Sequence, residues 1–233
     1  MTLDDTPAGR VLTRREVLAL LGLAGAGSLA PRAAGAQVPA CVVRPQQTEG
    51  PYYVDERLDR SDIRSDPTSG EVRAGAPLAL AFAVSALRGG ACAPLAGAVV
   101  DVWHCDALGA YSDVGGPTAG QKFLRGFQVT DAAGTARFTT IYPGAYPGRA
   151  VHIHFKVRTG AASTRGHEFT SQIYFDDALT DQVHALEPYA RLGQRRRRND
   201  GDGIFRRGGR ELMLPVTRDG AGYAGTFALA LSV

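Results

Sequence analysis

The stretch "GRAVHIHFKV", residues 148–157, reads as a β-strand that carries two histidines, His152 and His154, on either side of one isoleucine. The chain around it continues as strand, turn, strand, with few segments of helical period. The predicted strands are PLALAFAVSAL, AGAVVDVWHC, FLRGFQVT, TARFTTIY, AVHIHFKVRT, EFTSQIYF, ELMLPVT and GYAGTFALALSV. Clusters of Gly and Pro separate them, and TDAAG is a candidate hairpin turn. The pattern predicts an all-β fold, an antiparallel β-sandwich with long loops and little helix.

Two segments depart from the strand pattern. Residues 176–193, DDALTDQVHALEPYARLG, have an apolar spacing and an early Asp that allow one short helix or an irregular excursion. Residues 44–66, RPQQTEGPYYVDERLDRSDIRSD, are polar and turn-rich, so we expect them to wrap over the surface without forming a strand. No linker-like stretch separates two core-sized segments, and a single domain is therefore predicted.

Composition places the chain among soluble globular proteins. A length of 233 residues, with 44% hydrophobic and 21% charged residues, is ordinary for one sizeable domain. The net charge is only +3, and the densest basic run, Arg195–Arg198, is followed closely by Asp200 and Asp202. No aromatic interleaving or DNA-binding motif accompanies this run, so we expect no nucleic-acid partner.

Residues 1–36 predict an export signal. A basic start with Arg14 and Arg15 precedes an apolar stretch, Val17–Ala30, and a small-residue ending. The paired arginines resemble the twin-arginine signal, and cleavage after the small residues leaves a mature domain over residues 37–233. A retained anchor is disfavoured because about 14 apolar residues fall short of the ~20 that span a bilayer. We expect export to the periplasm or the extracellular space, with no stable membrane insertion once the signal is removed.

Three cysteines, Cys41, Cys92 and Cys105, lie in the mature part of the chain. An oxidising destination permits one disulfide between two of them. Cys92 and Cys105 flank one predicted strand, whose ends lie much farther apart than the ~4.4–6.8 Å between Cα atoms that a disulfide tolerates. We therefore expect Cys41 to pair with one of the other two.

The histidine pair is the first candidate for chemistry. Residues two apart on a strand share a face, so His152 and His154 project together with Cα atoms about 6.6–7 Å apart. Both imidazoles can then reach one metal ion, although a His-x-His pattern also occurs on purely structural strands. A zinc hydrolase would need a third nitrogen or carboxylate ligand and an open position for water. The remaining imidazoles are His104, His167 and His184, and the sequence singles out none of them.

Two tyrosines offer a different set of donors. Tyr146 lies just upstream of the histidine strand in YPGAYPGR, and Tyr111 follows a turn in DALGAYSDV. For either tyrosine alone, packing is the simpler interpretation. Two phenolates and two neutral imidazoles together form a hard, anionic set that favours a trivalent ion, and ferric iron fits it best.

These residues belong to longer blocks that resemble a known family. The blocks are QQTEGPYY, PLAGAVVDVWHCDALGAYSDV, LRGFQVTDAAGTARFTTIYPGAYPGRAVHIHFKV and FTSQIYF. In order and spacing they are similar to the intradiol ring-cleavage dioxygenases of the catechol and protocatechuate type, over roughly Gln46–Phe175. The resemblance implies a non-haem Fe(III) ion held by Tyr111, Tyr146, His152 and His154. It also implies that Arg149 and Gln172 contact the substrate.

The resemblance further implies a reaction. O2 would cleave a small catechol between its two hydroxyl-bearing carbons, giving a muconate-type diacid. Tyr146 would leave the metal and accept one substrate proton, whereas Tyr111 would stay bound. Arg149 would stabilise negative charge on the ring carbon that oxygen attacks, and Gln172 would hydrogen-bond nearby.

Other aromatic residues receive weaker assignments. Trp103 is expected to pack in the core, and His104, on the opposite face of the strand, is expected to be structural. The remaining candidates for pocket walls are Tyr52, Tyr53 and Tyr142.

The chain also departs from the best-known members of this family. It has an export signal, three cysteines and the segment RRRRNDGDG, and it looks more like an exported, twin-arginine branch. The resemblance therefore leaves the ring substituents of the substrate open and allows an oligomer. Two alternatives stay open: an exported zinc-dependent hydrolase, and a non-catalytic transthyretin-like or carbohydrate-binding sandwich.

Replacing Arg14 and Arg15 together by Lys tests the export route. The paired arginines are the recognised feature of a twin-arginine signal. We expect the variant to stay in the cytoplasm, as measured by cell fractionation and immunoblotting. Undiminished export of the double variant would indicate the general secretory route instead.

Overall fold

Two β-sheets pack against each other in the computed structural model, which describes residues 41–160, 166–193 and 197–233. The first sheet has five strands and the second has four, and the described residues belong to one compact unit. The predicted all-β sandwich is confirmed. Within these ranges no helix has the length and apolar character needed to cross a membrane. The predicted signal, residues 1–36, lies outside the described residues and stays a prediction.

The first sheet is built around the long strand β1 (Pro77–Arg88). One edge of β1 pairs antiparallel with β2 (Ala91–Pro94) and with β5 (Thr135–Ile141). The other edge pairs in parallel with β9 (Gly222–Ser232), which in turn pairs antiparallel with β8 (Val216–Asp219). The sandwich is therefore antiparallel as predicted except at this one pair of the described strands, β1 with β9.

The second sheet carries the histidine strand. Its order is β4 (Arg125–Val129), β3 (Val99–Trp103), β6 (His152–Arg158) and β7 (Glu168–Tyr174), and all neighbours are antiparallel. Strand side chains alternate between the two faces, so one face of this sheet packs on the first sheet while the other remains available for loops.

Aromatic residues fill the space between the sheets. The ring of Phe82 on β1 lies 5.2 Å from that of Phe155 on β6, and Phe155 lies 5.4 Å from Phe227 on β9, measured between centroids. All three side chains are fully buried. Burying each contributes about 1.5–3 kcal/mol, so this cluster joins the two sheets firmly.

The two segments outside the strand pattern differ from each other. Residues 176–193 contain a short helix, α1 (Asp177–His184), whose N-terminus is capped when the Asp176 carboxylate accepts a hydrogen bond from Leu179 N–H at 2.9 Å. Residues 44–66 form no strand and run along the sheets through isolated bridges, as expected. Ile63 nevertheless reaches the core and is fully buried.

Three local predictions need correction. One of the Gly and Pro clusters expected to separate strands, RGGACAP at residues 88–94, contains β2, a strand too short to show alternation. The predicted strand ELMLPVT overlaps a 3₁₀ turn at Gly209–Leu212, and β8 begins only at Val216. TDAAG does form a turn, with Thr135 C=O accepting from Asp131 N–H, but it joins β4 in one sheet to β5 in the other and is not a hairpin.

Cys41 and Cys92 form a disulfide, with Cα atoms 5.7 Å apart, and Cys105 is a buried free thiol. The expectation that Cys41 takes part in the bridge is confirmed. The bond ties the segment that precedes the sheets to the short strand β2.

Replacing Cys41 and Cys92 together by Ser is expected to lower the free energy of unfolding. Closing a loop of 51 residues in the unfolded chain stabilises the folded state by about 4 kcal/mol in the chain-entropy account. Equilibrium unfolding in denaturant, with and without dithiothreitol, measures the effect. The reductant should destabilise the parent and leave the double variant unchanged; equal sensitivity of both proteins would contradict the assignment.

Candidate metal centre

The histidines lie on the face of the second sheet that points away from the other sheet. Along β6, Ile153, Phe155 and Val157 enter the core, so the alternate residues His152 and His154 point outward. The outward row continues across neighbouring strands, because Trp103 and Gln172 are in register with His154. Loops and the segment before the sheets cover this face, and the histidines are buried at 2% and 1% exposure.

The two imidazoles converge on one point. Their Nε2 atoms are 2.9 Å apart, and His152 Nδ1 donates a hydrogen bond to the Ala150 carbonyl at 2.7 Å. With the proton on Nδ1, the His152 Nε2 atom presents a lone pair. Burial lowers the pKa of His152 to about 3 and that of His154 well below its ordinary value, so both rings are neutral at physiological pH.

Two phenols complete the cluster. The Tyr146 hydroxyl lies 3.2 Å from His152 Nε2, and the Tyr111 ring packs edge-on against the Tyr146 ring at 5.6 Å between centroids. The Tyr111 hydroxyl is buried, and among the described residues it interacts with the Tyr146 hydroxyl. Burial raises the pKa of Tyr146 to about 12 and that of Tyr111 well above its ordinary value. A nearby cation would be needed to hold either group as a phenolate.

Close backbone contact joins the two tyrosine loops. Gly144 N–H donates to the Asp106 carbonyl at 3.1 Å, and a Cβ atom on Gly144 would lie 2.4 Å from that same oxygen. A Cβ on Gly109 would likewise lie 2.4 Å from the Ala145 carbonyl oxygen. Only glycine allows these approaches, so two glycines set the spacing between Tyr111 and Tyr146.

The donor set fits a hard trivalent metal ion. Two neutral imidazole nitrogens and two phenol oxygens gather at one point, and the Tyr111 hydroxyl has no other described partner. No group of three or more His, Cys, Asp or Glu side chains with metal-site spacing occurs in the described ranges. Phenolates and imidazoles together favour ferric iron over a soft metal.

Arg149 lies beside the cluster and is held on three sides. Its Nη1 atom is 3.5 Å from the Tyr146 hydroxyl and 3.4 Å from His152 Nε2. Its Nη2 atom donates to Gln172 Oε1 at 2.5 Å, and its Nε atom donates to the Asp202 carboxylate at 2.8 Å. The Arg149 guanidinium therefore directs a positive charge toward the converging donors.

Comparison with known proteins gives the family. Residues 48–196 match the Dioxygenase family model. The chain belongs to the intradiol ring-cleavage dioxygenase family. The fold of the described chain agrees with this family: an intradiol ring-cleavage dioxygenase from Tetranychus urticae is 30% identical, with a TM-score of 0.71 over 82% of this chain and 95% of that one.

Bacterial family members are also similar in sequence. Catechol 1,2-dioxygenase 1 of Acinetobacter lwoffii is 30% identical over 62% of this chain and 52% of its own. The protocatechuate 3,4-dioxygenase beta chain of Burkholderia cepacia is 34% identical over 59% of this chain and 60% of its own. The chain thus spans about half of the length of the curated relatives it matches.

Within this intradiol dioxygenase fold, one sequence assignment was wrong and one needs refinement. Trp103 is buried as expected, but in a smaller cluster with Tyr111 outside the core between the sheets, and its ring stacks on the His154 ring at 5.1 Å between centroids and 9° between planes. Tyr142 lies in that core and its hydroxyl bonds to Thr180 Oγ1 at 2.7 Å, so it forms no wall of the cluster.

The other assignments agree with the geometry. The Tyr52 ring stacks on Tyr111 at 4.4 Å, and the Tyr53 ring packs on Trp103 at 4.8 Å. His104 is buried on the opposite face, where Nε2 bonds to Thr140 Oγ1 and burial lowers its pKa to about 4. Neither it nor His184, which donates to the Pro143 carbonyl, joins the histidine pair.

Sequence reasoning missed two residues at the site, Asp202 and Gly50. Asp202 approaches Arg149 from a segment that the dioxygenase resemblance does not cover, so no local signal pointed to it. Burial alone would raise the pKa of Asp202, but hydrogen bonds from Ala150 N–H and the Arg149 guanidinium bring it below its ordinary value. Asp202 is therefore ionised.

Gly50 lies against the ring of His154. It has a φ of +73°, and a Cβ atom there would lie 3.3 Å from His154 Cε1. Only glycine takes this left-handed conformation readily, and only glycine leaves the ring undisturbed.

Gly50→Ala should weaken metal binding, with Gly70→Ala as the matched control. Gly70 has a similar φ of +75°, but a Cβ there would meet nothing within 4 Å. Both variants incur a left-handed strain of roughly 1 kcal/mol, whereas Gly50→Ala also displaces His154. We expect iron affinity, measured by chelator competition, to fall about tenfold for Gly50→Ala only. Equal affinities in the two variants would contradict the contact.

Proposed function

We propose that this protein is a non-haem Fe(III) intradiol dioxygenase. It cleaves a catechol-type ring between the two hydroxyl-bearing carbons and adds both atoms of O2, giving a muconate-type diacid. Family membership supports the reaction class. The observation that carries the proposal for this chain is the convergence of two imidazoles and two phenols beside Arg149.

The proposed iron ligands are Tyr111, Tyr146, His152 and His154. Bound ferric iron would act as a Lewis acid, holding phenolates and promoting loss of the catechol hydroxyl protons. The protein supplies the acceptor for one of these two protons, which we assign to the Tyr146 oxygen. Tyr146 is only partly buried, whereas Tyr111 is 5% exposed beneath the Tyr52 ring. This difference favours Tyr146 as the movable group and Tyr111 as the fixed one.

Arg149 and Gln172 act on the substrate side of the cluster. The guanidinium supplies the positive charge that stabilises negative charge developing on the catechol ring. Gln172 is fully buried, accepts from Arg149 Nη2 and donates through Nε2 to the Thr48 carbonyl at 2.8 Å. Gln172 thereby links Arg149 to residues 44–66, the segment before the sheets that covers this face. Tyr52 and Trp103 flank the donors with apolar rings and limit the access of water.

We propose that the enzyme acts after twin-arginine export, in the periplasm or outside the cell. The signal pattern of residues 1–36 supports this location, and so does the Cys41–Cys92 disulfide, because such bonds persist in oxidising compartments. The reactants would be a small catechol and O2. Relatives are named for catechol, chlorocatechol and protocatechuate, and these three compounds are the natural first panel.

The two earlier alternatives have less support. A zinc hydrolase would use a nitrogen or carboxylate as its third protein ligand, whereas the further donors at the histidine pair are phenols. A non-catalytic sandwich would have no reason to keep four donors and an ion-paired arginine around one point. No observation favours either alternative over the dioxygenase.

The purified mature protein should bind about one ferric ion and be red-brown, because iron-bound phenolates absorb visible light.

Three variants separate the proposed roles of the individual residues. Tyr111→Phe and Tyr146→Phe should each change the visible spectrum, and Tyr146→Phe should retain substantial iron. Arg149→Ala should keep both iron and colour but lose turnover by about 100-fold or more, as for loss of one charge-stabilising donor. Metal analysis, absorption spectra and oxygen uptake on the catechol panel measure these effects.

Tyr142→Phe is the control for removing a tyrosine hydroxyl away from the site, and it should keep the parental spectrum. Stoichiometric zinc in a colourless native protein would overturn the iron assignment. If Arg149→Ala turned over like the parent, or Tyr146→Phe kept the resting parental spectrum, the corresponding role would be wrong even though the family stands.

A further inference from the structure

Asp202 comes from RRRRNDGDG, a segment outside the sequence blocks that resemble the family. The segment contains a 3₁₀ turn, Asn199–Gly201, and Asp202 follows it directly. Asn199 anchors this turn to the fold by donating through Nδ2 to the Phe175 carbonyl at 2.8 Å. Asp202 thus follows a turn that is hydrogen-bonded to the fold, and its side chain is buried at 1% exposure.

The Asp202 carboxylate uses both oxygens. Oδ2 accepts from Arg149 Nε at 2.8 Å and from Ala150 N–H at 2.9 Å. Oδ1 accepts from Ile204 N–H at 2.7 Å and faces Phe205 N–H at 3.4 Å. A carboxylate bonded on all sides has one orientation, so it can serve as a fixed reference for the arginine.

Two of the three guanidinium nitrogens of Arg149 make short hydrogen bonds, whereas the third, Nη1, faces the converging donors. Nε is held by Asp202, and Nη2 is held by Gln172 Oε1. Nη1 has only long contacts, 3.4–3.5 Å, to His152 Nε2 and the Tyr146 hydroxyl. Of the described ion pairs, Asp202 is the one carboxylate partner of Arg149.

Asp202 also acts on the backbone next to the histidine strand. Its carboxylate binds the Ala150 N–H, and the Ala150 carbonyl accepts from His152 Nδ1 at 2.7 Å. A single side chain therefore holds both the arginine and the residue that orients one imidazole.

From these contacts we infer that Asp202 is a positioning residue for ring cleavage, which holds the Arg149 guanidinium in plane and aims Nη1 at the point where the imidazoles and phenols converge. The inference rests on the proposed function. It assigns a role to the RRRRNDGDG segment: it carries the anion that fixes the catalytic arginine. A guanidinium without this partner can rotate away from the donors, and its buried charge is left uncompensated.

A double-mutant cycle tests the inference with Asp202→Asn, Arg149→Ala and the double variant. In the parent background, Asp202→Asn should lower kcat about 100-fold with a much smaller change in KM, because a displacement of about 1 Å has effects of that size. Iron content should stay at the parental level. In the Arg149→Ala background, Asp202→Asn should cause a much smaller further loss of turnover, because the main group through which it acts is absent and only its contact with Ala150 changes.

Thermal unfolding gives a readout that is independent of activity. Asp202→Asn alone should lower Tm by roughly 5 °C, since it leaves a buried arginine without its anion. In the Arg149→Ala background the same substitution should lower Tm by much less, because no arginine is left without its anion and only the backbone hydrogen bonds to the carboxylate change. If Asp202→Asn alone failed to fold, recovery of folding in the double variant would support the coupling, and a double variant that is equally unfolded would overturn it.

Asp66→Asn is the matched control. Asp66 is also a buried aspartate, 3% exposed, and its carboxylate accepts backbone N–H groups from Thr68, Ser69 and Lys122, without contacting Arg149. It should lower Tm in both backgrounds and leave kcat near the parental value. Parental kcat for Asp202→Asn, or equal losses in both backgrounds, would overturn the positioning role. Absence of oxygen uptake by the parent on every catechol would instead overturn the proposed function, while the Tm cycle would still report whether the two residues are coupled.

Discussion

Alternation of side chains along β6 is the constraint on which the rest of the structure depends. Ile153, Phe155 and Val157 close the core between the sheets, and the residues between them must therefore face outward. A slip of one residue would bury the histidines in the core and expose the apolar set. The hydrophobic effect thus fixes the positions of His152 and His154 before any metal is involved.

Burial then determines the charge state of the cluster. It keeps both imidazoles neutral, and it raises the pKa of both phenols, so the protein alone holds four uncharged donors at this point. Of the charged groups nearby, Arg149 and Asp202 neutralise each other through a 2.8 Å contact, and the buried Arg125 helps to lower the pKa of His154. A trivalent cation bound here could convert the phenols to phenolates.

The sequence predicted most of the fold and most of the candidate site, because in both cases the signals are local in the chain. Strand alternation and loop punctuation are local, so seven of the eight predicted strands overlap closely with observed ones, while ELMLPVT reaches β8 only at its end. The tyrosines and histidines are close in sequence to the strand that gathers them. The turn TDAAG was misjudged because local sequence shows that the chain reverses but not which sheet receives the next strand.

Long-range contacts account for what the sequence did not reveal. Asp202 meets Arg149 across 53 positions, and nothing in either local pattern indicates that the two should pair. Trp103 was assigned to the core because a large aromatic at a strand end is usually apolar packing. Its actual partner, His154, is on the neighbouring strand in register, and register between strands is a property of the folded sheet.

The outward row of β6 also explains how the cluster is covered. Beyond the histidines the same face presents Lys156 and Arg158. Lys156 pairs with Glu49 at 2.5 Å and lies 4.2 Å from the centroid of the Tyr53 ring, and both partners belong to the segment that precedes the sheets. These contacts hold that segment against the sheet, where it carries Gly50 onto His154 and the Tyr52 ring onto Tyr111. One strand therefore closes the core with its inner residues, presents two metal donors, and anchors the cover that shields them from water.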